Sequence, residues 1–407
     1  MKILFYSHFY KPETGAASVR ADYFVKALKE TGHEVLVVAP KPNYPIGKIF
    51  DGFKGKLIVK NERENVIYLP IWFVGTHSPI GRLFSYLSYF KFSLIYLLFN
   101  NYKPDIVISS SPPIFTSLAA LIYSKIKGSK FIFDIRDIWP DIGVELEILK
   151  NKVFINGLSR IEKYLLKNSD KIIVTAEGDK KNIINKIKKS DKCEIIYNGA
   201  DTDIFKPITE GEKQNIRKKY NLPVDKKIII YFGSYNHGMN DIEILGEFLT
   251  SDSFIRKNIY FLSIGSGDNL EILIQKIDNK ISYTAIDSLP MVDVAKLVAV
   301  SEISIIPRKG IKKDTGGNIP VKCFESWAAG VPVLLSNIED AEVSDIFRKC
   351  GAGVMVNAGN VEALLDGLNR LLQNNLSDLG IKGRRFVIEN YDRRRQTEKI
   401  ADILFNL

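Results

Sequence analysis

The sequence predicts an α/β protein made of two doubly wound, parallel-sheet domains. Three observations carry that expectation. Short apolar runs recur in two successive series, helical patterns separate the runs within each series, and a polar, turn-rich stretch lies between the series. The runs lack the in/out alternation of half-exposed strands, which is the pattern of strands covered on both faces. A chain of 407 residues is long enough to bury two such cores.

The first series is KILFYS (2–7), EVLVVAP (34–40), DIVISS (105–110), FIFDI (131–135), KIIVTA (171–176) and EIIYN (194–198). After the first run, Gly15, Ala16 and Ala17 lead into a helix expected to open near Ser18, a residue type suited to an N-cap, and to close before Gly32. Residues 48–72 break the rhythm and read as an inserted hairpin or irregular excursion. The stretch LFSYLSYFKFSLIYLLF (83–99) is the most apolar. It is short for a membrane span and is interrupted by Lys91, so it reads as a helix covering a sheet, with monotopic membrane contact as the alternative.

NGADTDIFKPITEGEK (198–213) is polar, carries Pro207 and is the expected linker. The second series follows: IIIYFG (228–233), YFLSIG (260–265), ISYTAI (281–286), ISIIP (303–307), VPVLLS (331–336) and GVMVN (353–357). We therefore expect an N-terminal domain over 1–205 and a second domain over 206–385. The terminal helix, 386–407, is expected to pack back on the first domain. In sheets of this type ligands bind beyond the C-terminal ends of the strands.

Composition is that of an ordinary globular protein, 45% hydrophobic and 26% charged. The net charge of +10 permits an anionic partner, whether nucleic acid, nucleotide or an acidic membrane surface, with compositional bias the plain alternative. Cys193, Cys323 and Cys350 have no paired spacing, which argues against a disulfide framework or a structural zinc site and for a reducing compartment. The N-terminus reads as a first strand and its loop, not as a signal peptide.

Four places carry candidate chemistry. Small residues at 15–17 open a helix at a strand end, an arrangement suited to an anion but also to any tight βα turn. Gly265-Ser266-Gly267 follows a strand, yet Leu270 stands where a dinucleotide motif needs its third glycine, so a structural turn is expected. In FIFDIRDIWPDIG, Asp134, Arg136, Asp137 and Asp141 cluster beyond a strand with Trp139 among them. Carboxylates, a guanidinium and an indole suit a polyhydroxylated ligand; the plain alternative is an Asp134–Arg136 pair and a core indole. In GGNIPVKCFESWAAGVPVLLS, Glu325 is a carboxylate in an otherwise apolar stretch, costly unless something binds it. Lys322, three residues earlier, shares its helix face. With Arg308 it offers positive charge for a diphosphate, while Glu325 offers an acceptor for ribose hydroxyls. A simple Lys322–Glu325 ion pair is the competing reading.

At these residues the chain resembles the family-4 retaining glycosyltransferases of GT-B fold. KPETGAASVRADYFVKALKETGHEVLVVAP, SSPP (110–113), RDIWPD, NGADTDIFKP and IPVKCFESWAAGVPVL carry the resemblance in order along nearly the whole chain. The branch it is most similar to builds O-antigen and capsule repeats and includes N-acetylfucosamine transferases. The resemblance implies two Rossmann-like domains facing a cleft, a UDP-type nucleotide sugar held mainly by the C-terminal domain, and a glycan or polyprenyl-linked glycan acceptor held mainly by the N-terminal one. It implies no nucleic acid and no bound metal, the departing diphosphate being stabilised electrostatically. On this mapping Glu325 holds the ribose, and Gly15 and Gly233 approach the diphosphate or sugar. Arg136 and Asp137 fall at the donor-sugar and acceptor end, and Trp139 and Asp141, from the reading of the residues themselves, complete the acceptor-binding candidates. Asp137, Arg136 and Lys322 are the catalytic candidates.

Three departures stand out. The family's first carboxylate, eight positions before Glu325, is Gly317 here, with Asp314 the substitute considered. The usual Arg and Lys of the donor domain fall at Ser234 and Met239, leaving Lys322, Arg308 and His237 to meet the diphosphate. A frequent His falls on Arg136. The expected activity is retaining hexosyl transfer on the cytoplasmic side, with peripheral contact to an anionic membrane suggested by residues 83–99 and the basic run 180–192. The competing readings are a nucleotide-sugar epimerase of the same architecture and a non-catalytic nucleotide-sugar-binding subunit; a nicotinamide enzyme is the most remote.

Overall fold

The computed structural model of the chain describes all residues except 45–46, 73, 76–78, 190, 237, 313–314 and 318. The chain divides into two compact units. The first comprises Met1–Tyr197, Asp314–Gly316 and Arg394–Leu407; the second comprises Asn198–Lys313 and Gly317–Arg393. The changeover at Tyr197–Asn198 falls at the start of the polar stretch, and the terminal helix changes unit after Arg393.

In the first unit the strands are β1 (Lys2–Tyr6), β2 (Glu34–Pro40), β3 (Val59–Asn61), β4 (Val66–Leu69), β5 (Ile106–Ser111), β6 (Lys130–Ile135), β7 (Lys171–Val174) and β8 (Cys193–Ile195). They are ordered β3-β4-β2-β1-β5-β6-β7-β8, all parallel except the β3–β4 hairpin. The excursion at 48–72 thus adds an edge hairpin. The helices are α1 (Ala16–Glu30), α2 (Pro79–Leu98), α3 (Ile114–Lys127), α4 (Asp141–Glu145), α5 (Lys152–Asn168) and α6 (Glu177–Ile187).

Burial explains the missing alternation. Leu4, Tyr6, Val107, Phe131 and Phe133 face one way, against Tyr89 and Leu97 of α2 and residues of α3, α5 and α6. Ile3, Phe5, Val35, Ile108 and Ile132 face the other, against Phe24 and Leu28 of α1 and against Ile400, Ile403 and Leu404 near the C-terminus. Both faces of each strand must be apolar.

The second unit holds β9 (Ile228–Phe232), β10 (Tyr260–Ile264), β11 (Tyr283–Ile286), β12 (Ile303–Pro307), β13 (Val333–Asn337) and β14 (Gly353–Asn357), ordered β11-β10-β9-β12-β13-β14 and all parallel. Its helices are α7 (Glu210–Lys219), α8 (Ile242–Thr250), α9 (Asp252–Ile255), α10 (Leu270–Ile277), α11 (Met291–Ala299), α12 (Val321–Ala328), α13 (Glu342–Cys350), α14 (Val361–Leu372) and α15 (Leu376–Asn390). The last helix, α16, spans Arg393–Phe405. On one face Trp327 of α12 is fully buried with Ile230, Phe232, Leu335 and Phe347. On the other, Tyr231, Phe261 and Ile305 meet Leu245 of α8 and Leu368 of α14.

Each sheet has a point where successive strands are laid down in opposite directions: between β1 and β5 in the first, and between β9 and β12 in the second. Such switch points leave a crevice at the strand ends, the expected place for a ligand in an open α/β sheet.

Candidate functional site

At the β9/β12 switch point the chain leaves β9 through Gly233, whose φ of 126° is a backbone state that side chains rarely adopt. A Cβ at this position would also meet the end of the Lys322 side chain, its Cε and ammonium. Glycine is therefore required by its own backbone, and its lack of a side chain leaves room for the end of Lys322. Gly265, in the turn after β10, packs directly on Gly233, so Gly265-Ser266-Gly267 serves as a supporting structural turn. Ser234 contributes its carbonyl, which accepts from Tyr231 Oη at 2.7 Å and Asn240 Nδ2 at 3.1 Å. Its hydroxyl accepts the Asn236 amide at 3.2 Å.

Lys322 is the second residue of α12. Its ammonium lies 4.4 Å from the centre of the Tyr231 ring and donates to that residue's hydroxyl at 3.3 Å. Burial, reinforced by the neighbouring Arg308, drives its pKa down to about 7. Arg308 follows β12 directly and is itself buried. Its backbone N–H donates to Ser336, and its guanidinium rests on the Met239 sulfur at 2.7 Å. Ser234 and Met239, where the resemblance led to an expectation of cations, are uncharged, and Met239 packs on Arg308, supplied by the next strand.

Glu325 lies in the second turn of α12 with little exposed surface. Its partner is Arg393, whose Nη2 donates to Oε1 at 3.2 Å. Lys322 and Glu325 therefore point to different partners, and the simple pair between them is not what α12 forms. Burial raises the Glu325 pKa, while Arg393 first and Lys322 second oppose that rise. His237 and Asp314 lie outside the described residues.

At the β1/β5 switch point of the first unit, β1 runs into His8 and Phe9, β5 ends at Ser110–Ser111, and the adjacent β6 runs into Arg136 and Asp137. Arg136 donates to Ser110 Oγ at 3.1 Å and to the Pro112 carbonyl at 2.5 Å, with the Phe9 ring centre 5.8 Å away. Burial lowers its pKa, and Asp137 and then Asp134 oppose the shift. His8 is buried among the rings of Phe9, Tyr86 and Tyr89, with centroids 4.9–5.4 Å apart. Burial, then Arg136, drives the His8 pKa down to about 3, so it stays neutral.

Several acidic candidates turn out to have structural partners. Asp134 is fully buried and pairs with Arg20 of α1 at 2.8 Å, not with Arg136. Arg20 also donates to the Ile196 carbonyl, so this pair ties α1, β6 and the end of β8 together. Asp141 binds Lys186 of α6 at 2.8 Å, and Lys186 also binds Glu162 of α5 at 2.6 Å. Trp139 packs over Gly143, where a Cβ would come within 2.6 Å of the indole. Asp137 is half-buried beside Arg136.

Gly15 is the N-cap of α1, which opens at Ala16 rather than near Ser18. The reason is backbone geometry: Gly15 is still extended, and a Cβ there would sit 3.1 Å from the Tyr44 ring. Ser18 is buried one turn inside. Arg393, Tyr231 and Arg20 had no individual signal in the sequence, because each acts through a partner far away in the chain. Among the described residues no group of three or more His, Cys, Asp or Glu side chains is placed to hold a metal ion.

Comparison with known proteins covers both units. The family model described as Glycosyltransferase Family 4 matches residues 17–204, and that described as Glycosyl transferases group 1 matches 226–374. The chain is 21% identical over 385 residues to the putative colanic acid biosynthesis glycosyl transferase WcaI of Escherichia coli K12, spanning 91% of this chain and 92% of that protein. Among solved structures, the sucrose-phosphate synthase of Thermosynechococcus elongatus superposes with a TM-score of 0.74 at 16% identity, covering 100% of this chain and 98% of that one. Anabaena HepE in complex with UDP and glucose gives 0.72 at 14% identity, covering 100% of both.

Proposed function

As the chain belongs to the family-4-like glycosyltransferases of GT-B fold, we propose that it moves a hexose, or an N-acetylated or deoxy-hexosamine, from a UDP-type nucleotide sugar to a hydroxyl of a glycan or lipid-linked glycan. The setting we propose is surface polysaccharide biosynthesis, with retention at the transferred carbon. The observation that carries this reading is the placing of Lys322 and Arg308 at the β9/β12 switch point with Glu325 on the same helix as Lys322. Two cations and a helix N-terminus suit a diphosphate, and a carboxylate one turn away suits a ribose. The UDP and glucose in the HepE structure and the activity in the name of WcaI favour the same reading.

In this proposal the bond from the anomeric carbon to the diphosphate breaks, and its electrons leave with UDP. An acceptor oxygen forms the new bond, and its proton passes to a base or to the departing phosphate. Lys322 and Arg308 meet the growing charge on the diphosphate, a role assigned to these side chains and not to a metal ion. Gly233 and Ser234 let the backbone approach the donor, and Gly15 does the same in the first unit. Asp137, with Arg136 and Trp139, orients the acceptor. Asp141 has the weakest claim, because Lys186 engages its carboxylate.

Thermal-shift titration with UDP-, GDP- and ADP-sugars tests the donor assignment. The UDP compounds should raise Tm most, and a clear preference for another nucleotide would overturn it. Release of UDP should require an acceptor; acceptor-independent conversion of the sugar would favour an epimerase, and binding without turnover a non-catalytic subunit.

We further propose that a lipid-linked acceptor is met at an anionic membrane through α2. Ile80, Phe84, Leu87, Ile95 and Leu98 are exposed at helical spacing, and Lys91 shares their face. No acidic residue occurs from 66 to 104, whereas Arg82, Lys91 and Lys103 do. No helix among the described residues is long and apolar enough to cross a membrane; an amphipathic helix of this kind lies on the surface instead. Vesicles containing phosphatidylglycerol should float the protein at low salt, and Phe84→Glu with Ile95→Glu should abolish this. Equal flotation by the variant, or none by the wild type, sinks the idea.

A further inference from the structure

Arg393 sits where three chain segments meet within the second unit. Its Nε donates to the Asn198 carbonyl at 3.0 Å, and Nη2 donates to the Gly199 carbonyl at 2.9 Å and to Glu325 Oε1 at 3.2 Å. The backbone is equally tied down. The Arg393 amide donates to the Ala200 carbonyl at 2.9 Å, and the Ala200 amide donates to the Tyr391 carbonyl at 3.0 Å. One step further, the Tyr391 ring stacks on Phe324 of α12 with centroids 4.5 Å apart. The Arg393 side chain is 95% buried, so its direction is set by these contacts.

The consequence falls on Glu325. Oε1 is held by Arg393, and no described residue donates to Oε2, while the side chain keeps 15% of its surface exposed. A carboxylate fixed through one oxygen presents the other in a defined direction, which is what recognition of a ribose hydroxyl needs. We propose that Arg393 is a positioning residue for the donor: it orients the Glu325 carboxylate so that Oε2 meets the ribose hydroxyls. This rests on the reading of Glu325 as the ribose ligand. It adds a residue 68 positions away, supplied by the segment that also binds the Asn198–Ala200 strip. Loosening that strip should therefore loosen the nucleotide's ribose.

The charge argument runs the same way. Among the described residues the charged groups acting on Glu325 are Arg393 from α16 and Lys322 from α12, and both oppose the rise that burial imposes on its pKa. Without Arg393 the carboxyl should stay protonated to higher pH and present a donor where the ribose needs an acceptor.

The test is the ratio of affinities for UDP and 2′-deoxy-UDP, measured by calorimetry. Both carry the same diphosphate, so effects at Lys322 and Arg308 cancel. The wild type should prefer UDP by about tenfold or more, the size expected for a hydrogen bond to a charged group. Glu325→Ala should remove the preference; if it does not, the ribose assignment fails, and this inference with it. Arg393→Gln should bring the ratio down to near that of Glu325→Ala at neutral pH and recover part of it at alkaline pH, as Glu325 ionises. A loss of packing alone would not titrate in this way. A wild-type ratio in a well-folded Arg393→Gln protein, with Glu325→Ala showing loss, overturns the role of Arg393 alone. Arg393→Lys keeps the charge but cannot reach Asn198, Gly199 and Glu325 together, and it serves if the Gln variant does not fold. Its ratio should be intermediate, and a wild-type value there counts equally against the proposal.

Discussion

The strand ends of the two units treat charge in opposite ways. In the first unit the sequence crowds Asp134, Arg136, Asp137 and Asp141 into eight residues, yet the fold commits most of them to structure. Asp134 is held by Arg20, Arg136 by Ser110 and the Pro112 carbonyl, and Asp141 by Lys186. In the second unit charge is sparse. Lys322 contacts an aromatic ring and its neutral hydroxyl, and among the described residues Glu325 is held through one oxygen. A dense cluster of charges takes partners from other elements on folding, whereas a buried charge with few partners keeps its capacity to bind. The sparse site is therefore the better guide to the ligand.

The comparison can be broken most sharply at Arg20. Arg20→Ala leaves Asp134 fully buried without its ion-pair partner, with Ser110 the remaining side-chain donor to it among the described residues, and should cost about 3–5 kcal/mol, as expected for removing one partner of a buried pair. Urea unfolding monitors it; a loss below about 1 kcal/mol, the range of exposed pairs, would mean that the first unit does not depend on the pair.

Next comes Lys322→Ala, which should lower kcat by about 10²–10³, the range for removing one preorganised donor from a site of developing charge. In the wild type kcat/KM for the donor should fall as pH rises through about 7, where the buried ammonium loses its proton. A flat profile across that range, with activity intact in the alanine variant, would remove Lys322 from the diphosphate.

Asp141→Asn should have the smallest effect. Its pair with Lys186 is partly exposed and should contribute no more than about 1 kcal/mol, and acceptor KM should be nearly unchanged. A large rise in acceptor KM without loss of stability would return Asp141 to the site and weaken the contrast between the units.

Much of the fold was legible because apolar runs bounded by turn residues have few other solutions. Every strand expected in the two series forms, and β3 and β4 occupy the excursion at 48–72. Glu325 and Lys322 were legible because a charge inside an apolar run is conspicuous in one dimension. Arg393 was not, being one of three consecutive arginines in a polar segment 68 residues from its partner. Nor could the sequence distinguish Asp134, whose partner lies 114 residues away, from Asp137, three residues on.

From the sequence alone, then, come the two parallel-sheet halves, their order, and the segments that approach the strand ends. These depend on local apolar patterning, a short-range property. Which charges are neutralised inside the protein and which retain an unpaired oxygen or proton was decided by the tertiary structure alone. An ion pair is set by distance and burial in space, and α1, α6 and α16 deliver Arg20, Lys186 and Arg393 to their partners from far along the chain.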